Sequence, residues 1–324
     1  MNTPHYHYLF GPVPSRRFGR SLGIDLTPLK TCTLDCVFCQ LGRTTHITLD
    51  RDAYVPTSEV IQEIDQWLRC GIQTDYLTLA GSGEPTLHTP FGQILAFLRN
   101  QPTPSVLLTN GSLFHLPEVR NAACLASVVK VSLSAWDQHS FEWVNRPHRQ
   151  LDFMTMLDGL RQFRKVFDGQ LWLEVFLLAG INAMPKDVEK IARLARDLKP
   201  DRIHLNTIAR PPAEDFAAAI PVTQLKQLAR FFEPPARIAA GFKTAASPKT
   251  IADASSVLAM LERRPCTINQ IEAAFDMHIN EVSKILGHLM RSNRIRADLI
   301  NKEVYYSICP VGRDPSPKPA LSIN

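Results

Sequence analysis

From residue 21 to about residue 208, short apolar runs alternate with amphipathic stretches. SLGIDL (21–26), YLTLAG (76–81), SVLLTNG (105–111), VVKVSLS (128–134), LWLEVFLLAG (171–180) and RIHLNT (202–207) predict six strands. Between them, apolar positions recur at helical spacing over 58–69, 91–100, 117–124, 153–167 and 186–198. The last of these ends at Lys199-Pro200, where a helix must stop. The strands are apolar almost throughout rather than alternating, as expected when both faces are covered. Six such strands separated by helices imply right-handed βαβ units and a parallel sheet. The expectation is an α/β fold, an incomplete (β/α)6 barrel over residues 1–240, with its chemistry where strands end and loops begin.

The pattern changes after GFKTAASPK (241–249), a small, polar stretch that reads as a linker. Helices are predicted over 254–263, 267–275 and 280–292, the second opened by a capping box of Thr267 and Gln270. The third carries Val282, Ile285, Leu286 and Leu289 on one stripe. A hairpin is expected from 295–299 and 304–308 around Asn301-Lys302. Three helices and a two-stranded wing over 250–309 resemble a winged helix-turn-helix, and 310–324 is expected to be a disordered tail.

Composition narrows the picture only a little. The 324 residues suffice for about two domains, and 45% hydrophobic with 21% charged residues excludes a disordered chain. A net charge of +5 permits a nucleic-acid partner without requiring one. No apolar run is long enough to span a bilayer, and the start MNTPHYHYLFGP lacks the features of a signal peptide. The expectation is a cytoplasmic protein with no membrane partner. Seven cysteines, an odd number, argue against a disulfide framework in that compartment.

Three of the seven fall together, in Cys32-Thr-Leu-Asp-Cys36-Val-Phe-Cys39. One tight loop of this spacing can aim three thiolates at a single metal centre. Structural zinc would want a fourth ligand, and the nearest candidate, His46, lies seven residues on. Cubane iron–sulfur clusters place a thiolate on each iron. Three cysteines therefore leave one iron open to the amine and carboxylate of a ligand. A zinc site that borrows a distant ligand, or three thiols buried by coincidence, are the blander readings.

C-x3-C-x2-C with an aromatic residue, here Phe38, before the last cysteine resembles the radical S-adenosylmethionine (radical SAM) superfamily. GPVPSRRFGRSLGIDL before the motif and CQLGRTT after it resemble the branch that includes the wyosine-forming tRNA enzymes. Gly81-Ser82-Gly83-Glu84-Pro85 resembles the superfamily's Gly-Gly-Glu motif, and Asn206 with Ala-Arg210-Pro211-Pro212 also resembles that branch. The resemblance covers roughly residues 8–235. It implies that Cys32, Cys36 and Cys39 ligate a [4Fe–4S] cluster whose fourth iron takes the methionine part of SAM. Gly81, Ser82, Gly83 and Glu84 would hold the methionine ammonium. Asn110, Ser132 and Ser134 are candidates for the ribose and carboxylate, and Phe38 and Asn206 for the adenine. The implied reaction is reductive cleavage of SAM to a 5′-deoxyadenosyl radical that abstracts hydrogen, fed by a low-potential electron donor.

Several features leave the substrate open. The wyosine-forming enzymes carry a second cluster from N-terminal cysteines, and this chain has no cysteine before Cys32. Arg17, Arg146, Glu174 and Arg210 are candidate substrate contacts, and Arg16 and Arg20 also flank the first strand. Residues 250–309 carry seven acidic and seven basic side chains, with Lys284, Arg291, Arg294 and Arg296 gathered at the third helix and wing. A macromolecular substrate docked by the winged helix is expected, RNA or tRNA ahead of a peptide. A small-molecule substrate is the alternative. An iron–sulfur transcription regulator is a further one, although a sensor has no need of a GSGEP loop.

Overall fold

The computed structural model describes residues 6–15, 17–238, 254–275, 277–300 and 303–309. Arg16, the expected linker at 241–249 and the expected tail at 310–324 lie outside the described residues. In chain order the first part contains β1 (Leu9–Ser15), β2 (Gly19–Ile24), the short β3 (Thr31–Cys32) and β4 (His46–Ile47), and α1 (Thr57–Arg69). There follow β5 (Tyr76–Leu79), α2 (Phe91–Arg99), β6 (Ser105–Leu108), α3 (Pro117–Ala123), β7 (Val128–Ser132), α4 (Gln138–Asn145) and α5 (Phe153–Val166). Then come β8 (Gln170–Phe176), α6 (Pro185–Asp197), β9 (Arg202–Asn206), α7 (Val222–Leu228) and β10 (Arg237–Ile238).

Eight of these strands form one sheet in the order β1-β2-β5-β6-β7-β8-β9-β10. All six predicted strands are present and parallel, and the sheet extends one strand further at each edge. β10 adds in parallel, whereas β1 pairs antiparallel to β2 through an irregular register between Phe10 and Val13. Prolines 12 and 14 hide β1 in the sequence, and an edge strand is where proline is tolerated.

The strands alternate more than the sequence suggested. Leu22, Ile24, Leu77, Leu79, Val129, Val131, Leu173 and Leu205 pack with Val60, Ile64, Phe91, Leu157, Leu160 and Ile191 from the helices in one core. The registers place Ser21, Thr78, Lys130, Ser132, Glu174, His204 and Asn206 on the opposite face. Near the amino ends that inner face is closed by Phe18, Val106, Val128 and Trp172.

The C-terminal part comprises α8 (Ala254–Arg263), β11 (Cys266–Thr267), α9 (Ile268–Phe275), α10 (Ile279–Arg291), β12 (Ile295–Ile300) and β13 (Glu303–Ile308). The Thr267–Gln270 capping box is present, each backbone N–H donating to the other's side chain. The expected two-stranded wing is a three-stranded antiparallel sheet, β11-β13-β12, because Cys266 and Thr267 pair with Tyr306 and Tyr305. Val257, Leu261, Phe275, Val282 and Leu286 form a second core that includes Val13 and abuts Phe10. The module therefore covers the edge strand β1, whose unpaired side would otherwise be open to other chains.

Candidate active site

β2 delivers the chain to the carboxyl end of the sheet, where Cys32 lies on β3 and the loop returns through β4. Thr48 N–H donates to Cys32 O at 3.0 Å and His46 N–H to Lys30 O at 3.1 Å, which closes the cysteine loop on itself. Each cysteine sulfur meets one side-chain nitrogen, from the loop after β6, from α4 and from just before β3. Asn110 Nδ2 approaches Cys32 Sγ at 3.6 Å, Asn145 Nδ2 approaches Cys36 Sγ at 3.2 Å, and Lys30 Nζ approaches Cys39 Sγ at 3.3 Å. N–H donors aimed at sulfur favour thiolate over thiol. Burial acts the other way, pushing the Cys32 thiol up to about 12 and the Cys36 thiol up as well. Buried thiolates of this kind need a bound cation to sustain them. Among the described residues no three His, Cys, Asp or Glu side chains converge to hold one ion. A cubane cluster, which spreads its thiolates over separate irons, suits such a loop better than mononuclear zinc.

The glycine-rich loop after β5 packs against this loop. A Cβ on Gly83 would lie 1.8 Å from Thr31 O, and one on Gly81 would lie 2.3 Å from the Asp25 carboxylate carbon. Only glycine permits that approach. Ser82 is anchored to Asp25 twice, by its N–H at 3.0 Å and its hydroxyl at 2.6 Å. Glu84, expected to offer its carboxylate to an ammonium group, is also tied into the protein. Its buried carboxylate accepts from Thr86 N (3.1 Å), Thr86 Oγ1 (2.6 Å), Thr109 Oγ1 (2.6 Å) and Asn110 N (2.8 Å). Three of these donors meet Oε1 and only Asn110 N meets Oε2, which keeps acceptor capacity. Glu84 is a strut that ties the ends of β5 and β6 together, and burial raises its pKa against those four bonds.

Asn110, Ser132 and Ser134 do come together, with Cys36 and Phe38, around a cavity of about 60 Å³. Ser134 Oγ accepts from Phe176 N at 3.0 Å, and Asn110 Nδ2 also donates to Thr33 Oγ1 at 2.8 Å. Phe38 stacks on Phe176 with ring centroids 4.2 Å apart and 7° between planes. Asn206 sits beside Phe176 as its register partner on β9 and donates to Glu174 Oε1 at 3.2 Å, so it lies next to the Phe38–Phe176 stack.

The charged candidates fall into separate networks. Glu174 is half-enclosed between Arg17 and Lys130, a partner absent from the sequence reading, so an isolated acid becomes part of a triad. Arg146 pairs with Glu214 at 2.5 Å, which Arg43 also contacts at 2.5 Å, and it reaches Asp35 at 3.8 Å. These cations hold the Glu214 carboxyl below its ordinary value. Arg146 thus braces the cysteine loop, where Asp35 N–H also bonds to the carbonyl groups of Asn145 and Arg146. Arg210 donates to Gln40 Oε1 at 2.7 Å, one residue past Cys39. Asp25, Lys30 and Asn145 complete the site without having been singled out in the sequence, and Thr109, next to Asn110, joins them through Glu84.

A profile of the radical SAM superfamily matches residues 26–195, the span that holds the cysteine loop, the glycine-rich loop and strands β5 to β8. The chain belongs to the radical SAM superfamily. Members use a [4Fe–4S] cluster and S-adenosylmethionine, and these are the cofactors of this radical SAM enzyme. A protein named GTPase Obg from Brachyspira hyodysenteriae is 33% identical over 306 residues, 93% of this chain and 45% of that protein. The chain thus spans about half the length of that relative, and it contains no G-x4-G-K-[ST] phosphate loop of its own. A UPF0026 protein from Helicobacter pylori is 32% identical over 288 residues, covering 86% of this chain and 92% of the relative. Among solved structures, TYW1 with a lysine-pyruvate adduct bound has a TM-score of 0.53 at 15% identity, over 67% of this chain and 74% of that one. That likeness is one of fold. Among the described residues no helix is long and apolar enough to cross a membrane.

Proposed function

We propose that this radical SAM enzyme abstracts hydrogen from a substrate held on the inner face of an incomplete barrel, with RNA as the leading substrate class. The observation that carries the radical SAM chemistry is a single loop of three cysteines whose sulfurs each meet a nitrogen donor, packed against a loop that only glycine can form. When bound, the cluster and SAM supply reductive cleavage to methionine and a 5′-deoxyadenosyl radical, the electron coming from a low-potential donor. Cys32, Cys36 and Cys39 would hold the cluster. Lys30, Asn110 and Asn145 orient their sulfurs. Gly81 and Gly83 let the loop close onto Asp25 and Thr31, and Ser82 and Glu84 fix that backbone through Asp25 and Thr109. The stacked Phe38 and Phe176 shield the site from water, which a carbon radical requires.

The C-terminal module reads as a winged helix on its order of three helices and an antiparallel sheet. Lys284, Arg291, Arg294 and Arg296 are exposed on α10 and the sheet, which supports contact with RNA in the cytoplasm. The decisive experiment is anaerobic reconstitution with iron and sulfide, then incubation with SAM and dithionite. Wild type should form 5′-deoxyadenosine, and Cys32→Ala, Cys36→Ala and Cys39→Ala should each lose it together with the cluster absorbance. Retention of either by those variants would refute the assignment. Mass spectrometry of RNA and protein from cells with and without the gene then distinguishes RNA from peptide.

A further inference from the structure

A second cavity, of about 290 Å³, lies between the inner face of the sheet and the C-terminal module. Thr78 of the sheet, Gly81 and Gly83 of the glycine-rich loop, and Arg210, Arg263 and Arg264 are among the residues that line it. Among the described residues no Asp or Glu lines it. Arg263, at the end of α8, fixes the outer wall in place. Its Nε donates to Asp25 Oδ2 at 3.0 Å, Nη1 to Ala259 O at 2.8 Å and Nη2 to His7 O at 3.3 Å. Its guanidinium also sits 5.1 Å over the Phe10 ring. Asp25, the carboxylate that holds Ser82, thus balances Arg263 from behind the wall. Arg264, the next residue, is buried, and Arg210 is held by Gln40, which also lines the cavity.

Guanidinium groups are the side chains best matched to planar or tetrahedral oxyanions, and a cavity with low-dielectric walls amplifies their field. We propose that this cavity binds an anionic group of the substrate, a carboxylate or a phosphate, through Arg210 and Arg264. The C-terminal module is then part of the substrate site itself, besides any role in docking. The inference deepens the radical SAM reading by naming the substrate's chemistry, and it is tested without turnover.

The reconstituted full-length protein is titrated with inorganic phosphate and, separately, with succinate, chloride keeping the ionic strength constant. Binding is read as the rise in thermal midpoint, and SAM affinity is measured in parallel. At least one anion should raise the midpoint, and Arg210→Gln and Arg264→Gln should each weaken that anion about tenfold or more. A response to phosphate alone identifies a phosphate ester, and a response to succinate alone a carboxylate. Should Arg264→Gln fail to fold, Arg210→Gln on the sheet side and Arg264→Lys, which keeps the charge, decide the matter. The proposal is overturned if neither anion stabilises wild type, or if Arg210→Gln responds as wild type does. It is also overturned if Arg210→Gln weakens SAM by the same factor, because the cavity would then serve the cofactor's own carboxylate. Absence of 5′-deoxyadenosine would remove the radical SAM reading and leave this measurement standing.

Discussion

The two ends of the same parallel strands are built on different physics. At the amino end, Phe18 stacks on Trp172 with centroids 4.9 Å apart and 3° between planes, and meets Tyr76 edge-on at 5.3 Å. Val106 and Val128 fill the space around them. At the carboxyl end the contacts are hydrogen bonds, with Glu84, Asp25, Asn110 and Asn145 each joining segments distant in sequence. Apolar packing is forgiving in direction and sums over many weak contacts. A buried polar network is directional, and removing one partner leaves another unsatisfied. The first end supplies stability, and the second holds positions that chemistry needs.

The largest expected effect comes from the packed end. Trp172→Ala should cost about 3–5 kcal/mol in denaturant unfolding, the usual range for a buried aromatic. Its effect on SAM affinity should stay within about twofold, since the cysteine loop and the glycine-rich loop are anchored elsewhere. A parallel collapse of SAM binding would break the division between the ends. Asp25→Asn tests the polar end. It uncouples a buried ion pair with Arg263 and weakens two bonds to Ser82, so the unfolding free energy should fall by about 3 kcal/mol. Here SAM affinity should fall as well, as measured by equilibrium binding.

His204 sharpens the comparison with pH. It is buried, its ring 5.4 Å from that of Trp172. Burial above all, then the nearby charges of Arg17 and Lys130, push its pKa down to about 3 from 6.5. Between those values the unfolded chain binds a proton that the folded chain does not. Stability therefore rises with pH across the window and is lost on acidification, by at most about 1.4 kcal/mol per pH unit. His204→Gln should remove that part of the slope, seen as the difference between variant and wild type in urea midpoints at pH 5 and pH 7.

What the sequence made legible follows the same line. The strands from β5 to β9 announce themselves because each is a short apolar run between helical patterns. β1 does not, since Pro12 and Pro14 look like a loop until an edge position excuses them. α4 carries a capping box at Asp137 and Ser140, but only eight residues follow it, too few for a clear period. The cysteines and the GSGE loop were visible because their spacing is local. Their supports were not, because Asn145 is 109 residues from Cys36 and Arg263 is 238 from Asp25. A polar residue carries no mark in its own neighbourhood that a distant partner awaits it. The packed face is similar: alternation on β6, β7 and β8 was masked by Val106, Val128 and Trp172, which are apolar yet share the face of the polar residues.

The smallest expected effect isolates the polar end from folding altogether. Asn145 ends α4 and points its amide at Cys36 Sγ, while its carbonyl receives Asp35 N–H at 3.0 Å. A neutral donor to a cluster thiolate stabilises the reduced, more negative cluster more than the oxidised one, which raises the reduction potential. Asn145→Ala should therefore lower the potential, by about 50 mV, close to 1 kcal/mol for one electron. The backbone carbonyl that holds Asp35 survives the substitution, so iron content and thermal midpoint should change little. Redox titration followed by electron paramagnetic resonance measures the shift directly. An unchanged potential would mean that this amide braces the loop without touching the cluster's electronics, and the polar end would then resemble the packed one more closely than its hydrogen bonds imply.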